Sequence, residues 1–227
     1  MDLSAIISGF YARAGIVYLN NGETGSVTFI GTVSPAGGNL KEPVTESTKK
    51  AARCFYALSQ NRADSKRYPA IDTLDSYSKY LEYPEFVSFA KEKLDENWVE
   101  LVNEARNILV RGKEMEEQIN ILGDDSVPVD YHITLWKSEF VDFVILQQDA
   151  FDKIDATTSL ERQEYMLKKV INVIRSEFSF EGFEEVATYF KRLINAFRQL
   201  NYTIFKSEDF HKAEEEAKAI LEERVVK

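Results

Sequence analysis

The groups able to hold a phosphate, a metal or a proton are sparse in this sequence. A phosphate-binding loop, G-x-x-x-x-G-K-[ST], presents successive backbone amides and a lysine to the anion. No such run occurs, and Gly112-Lys113-Glu114 is not a remnant of one. H-E-x-x-H, the helical zinc pair, is also absent. The two histidines, His132 and His211, are isolated in sequence. His211 and Glu215 share a helix face and would suit a metal, but no third ligand is evident, so the spacing favours a solvated pair one turn apart. Asp72 and Asp75 have the spacing of paired carboxylates, which serves turns and caps as readily as acid–base work. The serines show no triad spacing. Cys54 is the only cysteine. It excludes an internal disulfide and a multi-cysteine metal cluster, and its apolar setting in Ala51–Leu58 predicts a buried, inert thiol. From spacing alone, no catalytic machine is complete.

Two segments stand out against that background. The loop Ser34–Thr45 contains Pro35, Gly37, Gly38 and Pro43, and its adjacent glycines predict backbone angles closed to other residues. In Arg67-Tyr68-Pro69-Ala70 a proline holds an aromatic side chain on a loop. Tyr68 fits either of two roles, packing in a core or forming a platform for a flat ligand, where stacking contributes about 1–3 kcal/mol per base. Core packing is the plainer of the two.

The elements that position these segments fall into two halves. Leu3, Ile6, Ile7, Phe10, Tyr11 and Ala14 recur at helical spacing, with Gly15 placed to end the helix. Ile16–Leu19, the turn Asn20-Asn21-Gly22 and Gly25–Val33 read as strand, turn and strand. Thr45 is a candidate cap for the next helix, with Ala51, Phe55 and Leu58 on one face. After a basic loop, Arg62–Arg67, the segment Tyr68–Ser76 is expected to be extended. This α/β pattern has too few strands to cover a parallel sheet and reads as the tail of a larger α/β domain. From about Tyr77 the strand signals fade. Trp98, Leu101, Val102, Ala105, Ile108, Leu109, Met115, Ile119 and Leu122 predict one long amphipathic helix ending at Gly123. Further helices are expected over about Thr134–Ala150, after a Thr158/Glu161 capping box, over Phe183–Leu200 and over Ser207–Val226. The chain therefore divides into an α/β remnant, residues 1–80, and an all-α helical bundle, residues 81–227, mostly helical overall.

Bulk properties narrow the partners. The formal net charge is −10 and the sequence pI about 4.9. That balance argues against nucleic acid, whose phosphates need a basic surface, and against an anionic membrane face. No apolar run approaches spanning length and no signal peptide opens the chain, so no direct membrane insertion is expected, and a soluble, intracellular protein is.

Several segments, in order, resemble the catalytic subunit of V/A-type rotary ATPases. These are Phe10–Gly15, Gly25-Ser26-Val27-Thr28-Phe29-Ile30-Gly31, Val33–Gly38 with Glu42-Pro43-Val44-Thr45, and Tyr68-Pro69-Ala70-Ile71. Farther on come Ile119–Asp124 and Leu146-Gln147-Gln148-Asp149-Ala150-Phe151. The resemblance runs from about Leu3 to Asp155; over the last seventy or so residues only helical character is shared. Ala36 stands where the family usually has a second proline, and Asn39-Leu40-Lys41 departs from its usual acidic-aromatic-small triplet.

The resemblance implies a C-terminal piece of that subunit, whose α/β part belongs to a nucleotide-binding domain of P-loop NTPase type. It implies that Tyr68 stacks on the adenine of ATP with Pro69, and that Gln148, Ala150 and Phe151 supply other pocket walls. It further implies that Pro35–Pro43 faces the central rotor stalk and that the segment after Gly123 pushes on it. The full-length subunit would bind ATP or ADP with magnesium and couple ATP hydrolysis or synthesis to proton or sodium transport. It would alternate with the non-catalytic ring subunit in a hexamer, cytoplasmic and peripheral to the membrane. The family's phosphate loop, its lysine, the magnesium-binding groups and the general base lie upstream of Met1. The chain alone is therefore expected to hold no nucleotide and to be inactive, with no catalytic residue and no metal site of its own. A stand-alone helical adaptor without enzymatic activity is the alternative. An unrelated hydrolase built on Asp72, Asp75 or the histidines has no supporting geometry.

Overall fold

The structure is a computed structural model and describes residues 2–226. The outer limits expected for the two domains, Met1 and Lys227, lie outside those residues. The chain forms two compact units, one of Met1–Ala57 with Asp75–Glu82 and one of Leu58–Leu74 with Tyr83–Lys227. The segment carrying Tyr68 thus folds with the helical unit, although it sits before residue 80 in the sequence.

In the first unit, helix α1 (Leu3–Tyr11) starts at Asp2, whose carboxylate accepts the Ser4 amide. Strands β1 (Gly15–Tyr18) and β2 (Thr24–Val27) pair antiparallel, Gly15 opposite Val27 and Tyr18 opposite Thr24. Their turn closes with Gly22 at φ 86°, a left-handed angle that favours glycine. Both strand faces are exposed, and Ile16, Val17 and Tyr18 find no core among the described residues. Tyr11 meets Phe29 edge to face, ring centres 4.8 Å apart.

Helix α2 (Pro43–Ala51) begins earlier than expected. Pro43 suits the first helical position, and Glu42 rather than Thr45 caps the helix, accepting from the Thr45 amide at 3.1 Å and its hydroxyl at 2.7 Å. Gly37 and Gly38 take the positive angles the loop required, φ 62° and 71°. Strands β3 (Cys54–Phe55) and β4 (Tyr77–Ser78) form a second antiparallel pair. Cys54 is half-exposed, not buried, with its sulfur 3.3 Å from the Ser78 hydroxyl. The reason is that β3 is only two residues long and pairs with β4 alone, so its side chains are half covered.

The second unit is helical. The expected basic loop is partly a short helix, α3 (Gln60–Asp64), capped by the Ser59 hydroxyl. The expected extended segment is, as far as Leu74, a chain of turns rather than a strand, tied back by the bridge between Leu58 and Ile71 and by the Ser59 amide on the Ala70 carbonyl. Asp72 serves the turn role, accepting the Leu74 amide at 2.9 Å. Then come α4 (Pro84–Lys93), α5 (Trp98–Leu122) and α6 (Val129–Val141). Helix α6 starts five residues ahead of the expected Thr134, because Pro128 can stand only at its entry. A wide π-helical turn, Asp142–Leu146, extends α6 and closes with the Gln147 amide on the Asp142 carbonyl. Helices α7 (Leu160–Arg175), α8 (Phe183–Tyr202) and α9 (Glu208–Glu222) complete the bundle. Ser159, not Thr158, caps α7, its hydroxyl accepting from the Arg162 amide.

The core joins α5, α6, α7, α8 and α9 around Phe140, Val170, Val186, Phe190, Leu193 and Phe210, all essentially excluded from solvent. At a flat crossing of α5 and α6, Gly112 lies against Ser138 with no room for a methyl group. His132 is buried, 3.2 Å from the Asp124 carbonyl and stacked at 5.1 Å on Phe183, a structural rather than chemical placement. His211 is exposed and pairs with Glu214, not Glu215.

Candidate functional site

A cavity of about 510 Å³ opens on the helical unit. One wall is the turn carrying Tyr68 and Pro69. The facing wall is the chain that leaves α6 through the π turn, presenting Phe143, Gln147, Gln148, Ala150 and Phe151. Helix α8 adds Arg198, Asn201 and Tyr202, and Lys66, Asp149 and Asp155 complete the lining. All five residues expected at a binding site, Tyr68, Pro69, Gln148, Ala150 and Phe151, therefore line one cavity although they come from distant segments.

Each wall is fixed by identifiable bonds. The peptide bond between Tyr68 and Pro69 is cis. The Tyr68 carbonyl accepts the Gln148 amide at 2.9 Å, a direct link between the two walls. Beyond Gln148 the chain folds on its own carboxylates. Asp155 accepts the Asp149 amide at 2.6 Å, Asp149 accepts the Phe151 amide, and Asp152 accepts those of Ile154 and Asp155. Gln148 donates its side-chain amide to the Asp155 carbonyl at 2.6 Å. Burial pushes the Asp155 carboxyl above the usual aspartate range. On the α8 side, Asn201 donates to the Val144 carbonyl at 2.9 Å, which satisfies a carbonyl inside the widened turn.

The surfaces offered to a ligand are aromatic and open. Tyr68 is 55% exposed and Phe151 98% exposed, so neither ring is spent on packing, and the core role considered for Tyr68 does not hold. Phe143 lies under the Arg67 guanidinium, 4.8 Å from its ring centre, with Arg198 at 6.0 Å. Buried among these groups, the side-chain nitrogen of Gln147 has no hydrogen-bond partner, and such an orphan donor costs about 1–3 kcal/mol unless something accepts from it. Flat, open faces suit stacking on a planar heteroaromatic ring.

Sequence reasoning did not reach Phe143, Gln147, Arg198, Asn201 or Tyr202. Gln147 stands beside Gln148 in the same motif. Arg198 lies on the expected helix Phe183–Leu200 and Tyr202 one turn on, past its expected end, and only the packing of α8 on α6 turns them toward the cavity.

The sequence and the fold have counterparts among known proteins. Residues 1–78 match the ATP synthase alpha/beta family, nucleotide-binding domain, and residues 88–181 the C-terminal domain of V and A type ATP synthase. The two matches follow one another along the chain, which is similar to the C-terminal portion of the V-type ATP synthase alpha chain. It is 40% identical over 219 residues to that protein of Borrelia duttonii, covering 96% of this chain and 36% of the relative. The alpha chain of Protochlamydia amoebophila is 37% identical over 222 residues, 98% and 37% of the two chains. The chain thus spans a little over a third of the length of the curated relatives it matches. Alignment over nearly the whole chain carries the similarity through α8 and α9, farther than the resemblance read from motifs alone. A solved structure, a unique ATP synthase subunit NeqB from Nanoarcheaum equitans, shares the fold at a TM-score of 0.53 and 21% identity, over 75% of this chain and 39% of that one. Among the described residues no helix is long and apolar enough to cross a membrane.

Proposed function

We propose that this chain forms the base-binding end of the nucleotide site in the catalytic subunit of a V/A-type rotary ATPase, which couples ATP hydrolysis or synthesis to proton or sodium transport. The observation that carries this reading is the convergence of Tyr68, Pro69, Gln148, Ala150 and Phe151 on one open, aromatic cavity. Tyr68 and Phe151 offer faces for stacking on adenine.

On this reading residues 1–80 are the C-terminal part of the nucleotide-binding domain and 81–227 the helical domain. The exposed apolar hairpin β1–β2 fits a piece of a larger sheet. The subunit alternates with the non-catalytic ring subunit around the central rotor stalk, cytoplasmic and peripheral to the membrane. Among the described residues no three His, Cys, Asp or Glu side chains gather to hold a metal. The resemblance assigns magnesium and the phosphates to parts of the subunit outside this chain, and in phosphoryl transfer those parts supply most of the stabilisation. The 227 residues alone are expected to bind nucleotide weakly and not to hydrolyse it, since base contacts must first offset the entropy of association.

Tyr68→Ala in the complete subunit tests the assignment. Loss of a stacked base costs about 1–3 kcal/mol, or roughly 5- to 150-fold in ATP affinity, with affinity for inorganic tripolyphosphate unchanged. Equal ATP affinity in the variant would refute the role of Tyr68. Metal-dependent ATP turnover by the purified 227-residue chain would refute the division of labour.

A further inference from the structure

Four charged side chains behind the cavity join its two walls without lining it. Asp142, only 4% exposed, accepts from the terminal nitrogens of Arg62 at 2.9 and 2.8 Å and from Arg67 at 2.8 Å. Arg67 also forks onto Glu139 at 3.0 and 2.7 Å. Each end of this cluster is one covalent step from a wall. Arg67 precedes Tyr68, and Asp142 precedes Phe143 while its carbonyl holds the Gln147 amide. Gln148, the next residue, bonds the Tyr68 carbonyl. None of the four contributes to the cavity surface.

Such a cluster is an expensive way to hold a chain in place. Withdrawing ions from water costs several kcal/mol each, and apolar replacements of buried ion pairs are often neutral or stabilising. Arg62 also leaves its Nε buried without a partner. What a cluster of forks gives that an apolar patch does not is direction, because a planar guanidinium meets a carboxylate in one plane and at one distance. The turn it holds, which runs from Arg67 to Leu74, forms no helix or strand; its other ties are local turns, the Leu58–Ile71 bridge, the Ser59 amide on the Ala70 carbonyl and the Arg106 guanidinium on the Leu74 carbonyl.

We propose that Asp142 and Glu139, acting through Arg62 and Arg67, are positioning residues that hold the Tyr68 platform against the wall formed by residues 143–151. The proposal rests on reading the cavity as the base-binding end of the site. The cluster sets the gap into which a base slides, and it touches no part of the ligand.

Hydrogen exchange of the 227-residue chain, resolved by residue in NMR spectra, reads the clasp directly through the Gln148 amide. In Glu139→Gln and in Asp142→Asn that amide is expected to exchange tenfold or more faster, while the α8 core amides of Leu193 and Phe197 keep their rates. Arg67→Lys, which retains the charge and loses the fork, should behave like Glu139→Gln. Unchanged Gln148 exchange, or acceleration in step with the α8 core, would overturn the positioning role. Should Asp142→Asn fail to fold, Glu139→Gln carries the test, because its carboxylate is partly exposed and bonds only Arg67. Titration with adenosine, followed at the Ala150 and Phe151 amides, adds the functional arm, with at least threefold weaker binding expected in Glu139→Gln. Equal affinity there would also overturn the proposal. If parent-chain amides at the cavity ignore adenosine altogether, the base-binding reading fails, and the exchange data still decide whether the clasp exists.

Discussion

Replacing Gly112 by alanine sets two effects against each other, and the structure decides which wins. Alanine in a helix interior is favoured over glycine by about 0.8–1 kcal/mol. At this site, however, a methyl carbon would fall on the Ser138 side chain, deep inside contact distance, with the Ser138 Cα at 3.6 Å. The atom it meets is chiefly a Cβ, which no rotamer change can move. Carbon pairs sit comfortably at about 3.5–4.0 Å, so α5 and α6 would have to part by more than ~1 Å at the centre of the bundle. Overpacking typically costs about 1–3 kcal/mol, and a fixed backbone neighbour puts this site at the upper end. The expected net loss is about 2 kcal/mol, read as a lowered urea midpoint at 222 nm. Gly112→Ala combined with Ser138→Gly removes the clash and leaves Cα at 3.6 Å as the nearest group. The helix gain at residue 112, about 1 kcal/mol, then outweighs the loss from Ser138→Gly, about 0.5 kcal/mol, and the double variant stays within ~0.5 kcal/mol of the parent. A single variant as stable as the parent, or a double variant no better than the single, would refute the crossing as described.

Other outcomes follow from the same structure. Phe190, wholly buried against Phe178, Tyr189 and Phe180, should cost about 3–5 kcal/mol when cut to alanine, checked by thermal melting. Exposed pairs such as Arg192 with Glu223 should change stability too little to measure on truncation of either partner. Asp155 tests pH dependence. Its folded carboxyl is pushed up by burial, so the folded state holds the proton more tightly than the unfolded chain does. The penalty for ionising it is absent below the unfolded aspartate range and grows as pH rises through the raised folded value. Asp155→Asn, which keeps an oxygen for the Asp149 amide, should therefore be more stable than the parent at pH 7 and lose that advantage by about pH 4. An advantage at pH 4 equal to that at pH 7 would contradict the burial argument.

Long periodic elements were legible in the sequence. Helix α5 was visible end to end, because its apolar positions repeat over many turns and Gly123 stops it with φ 88°. Helix α4 (Pro84–Lys93) was not, because it buries only Ala90 and so carries no strong apolar stripe. Ends governed by proline moved as well, α2 to Pro43 and α6 to Val129. The π turn depends on packing, since the Asn201 side chain that satisfies the Val144 carbonyl comes from another helix. The candidate site was legible only through the resemblance. Tyr68 and Phe151 carry no local mark of belonging together, and Arg198 faces them only after α8 has docked.

The π turn also makes the site a matter of counting. An α-helix advances about 100° per residue, and the widened turn inserts one extra residue before the chain leaves α6. Deleting a residue between Asp142 and Leu146 would keep Gln147, Gln148, Ala150 and Phe151 chemically intact yet swing all of them roughly 100° around the helix axis. Substitution scanning, which preserves length, is blind to that kind of information. A one-residue deletion and a compensating insertion just downstream would reveal it, as a cavity lost and then restored with no change in which side chains are present.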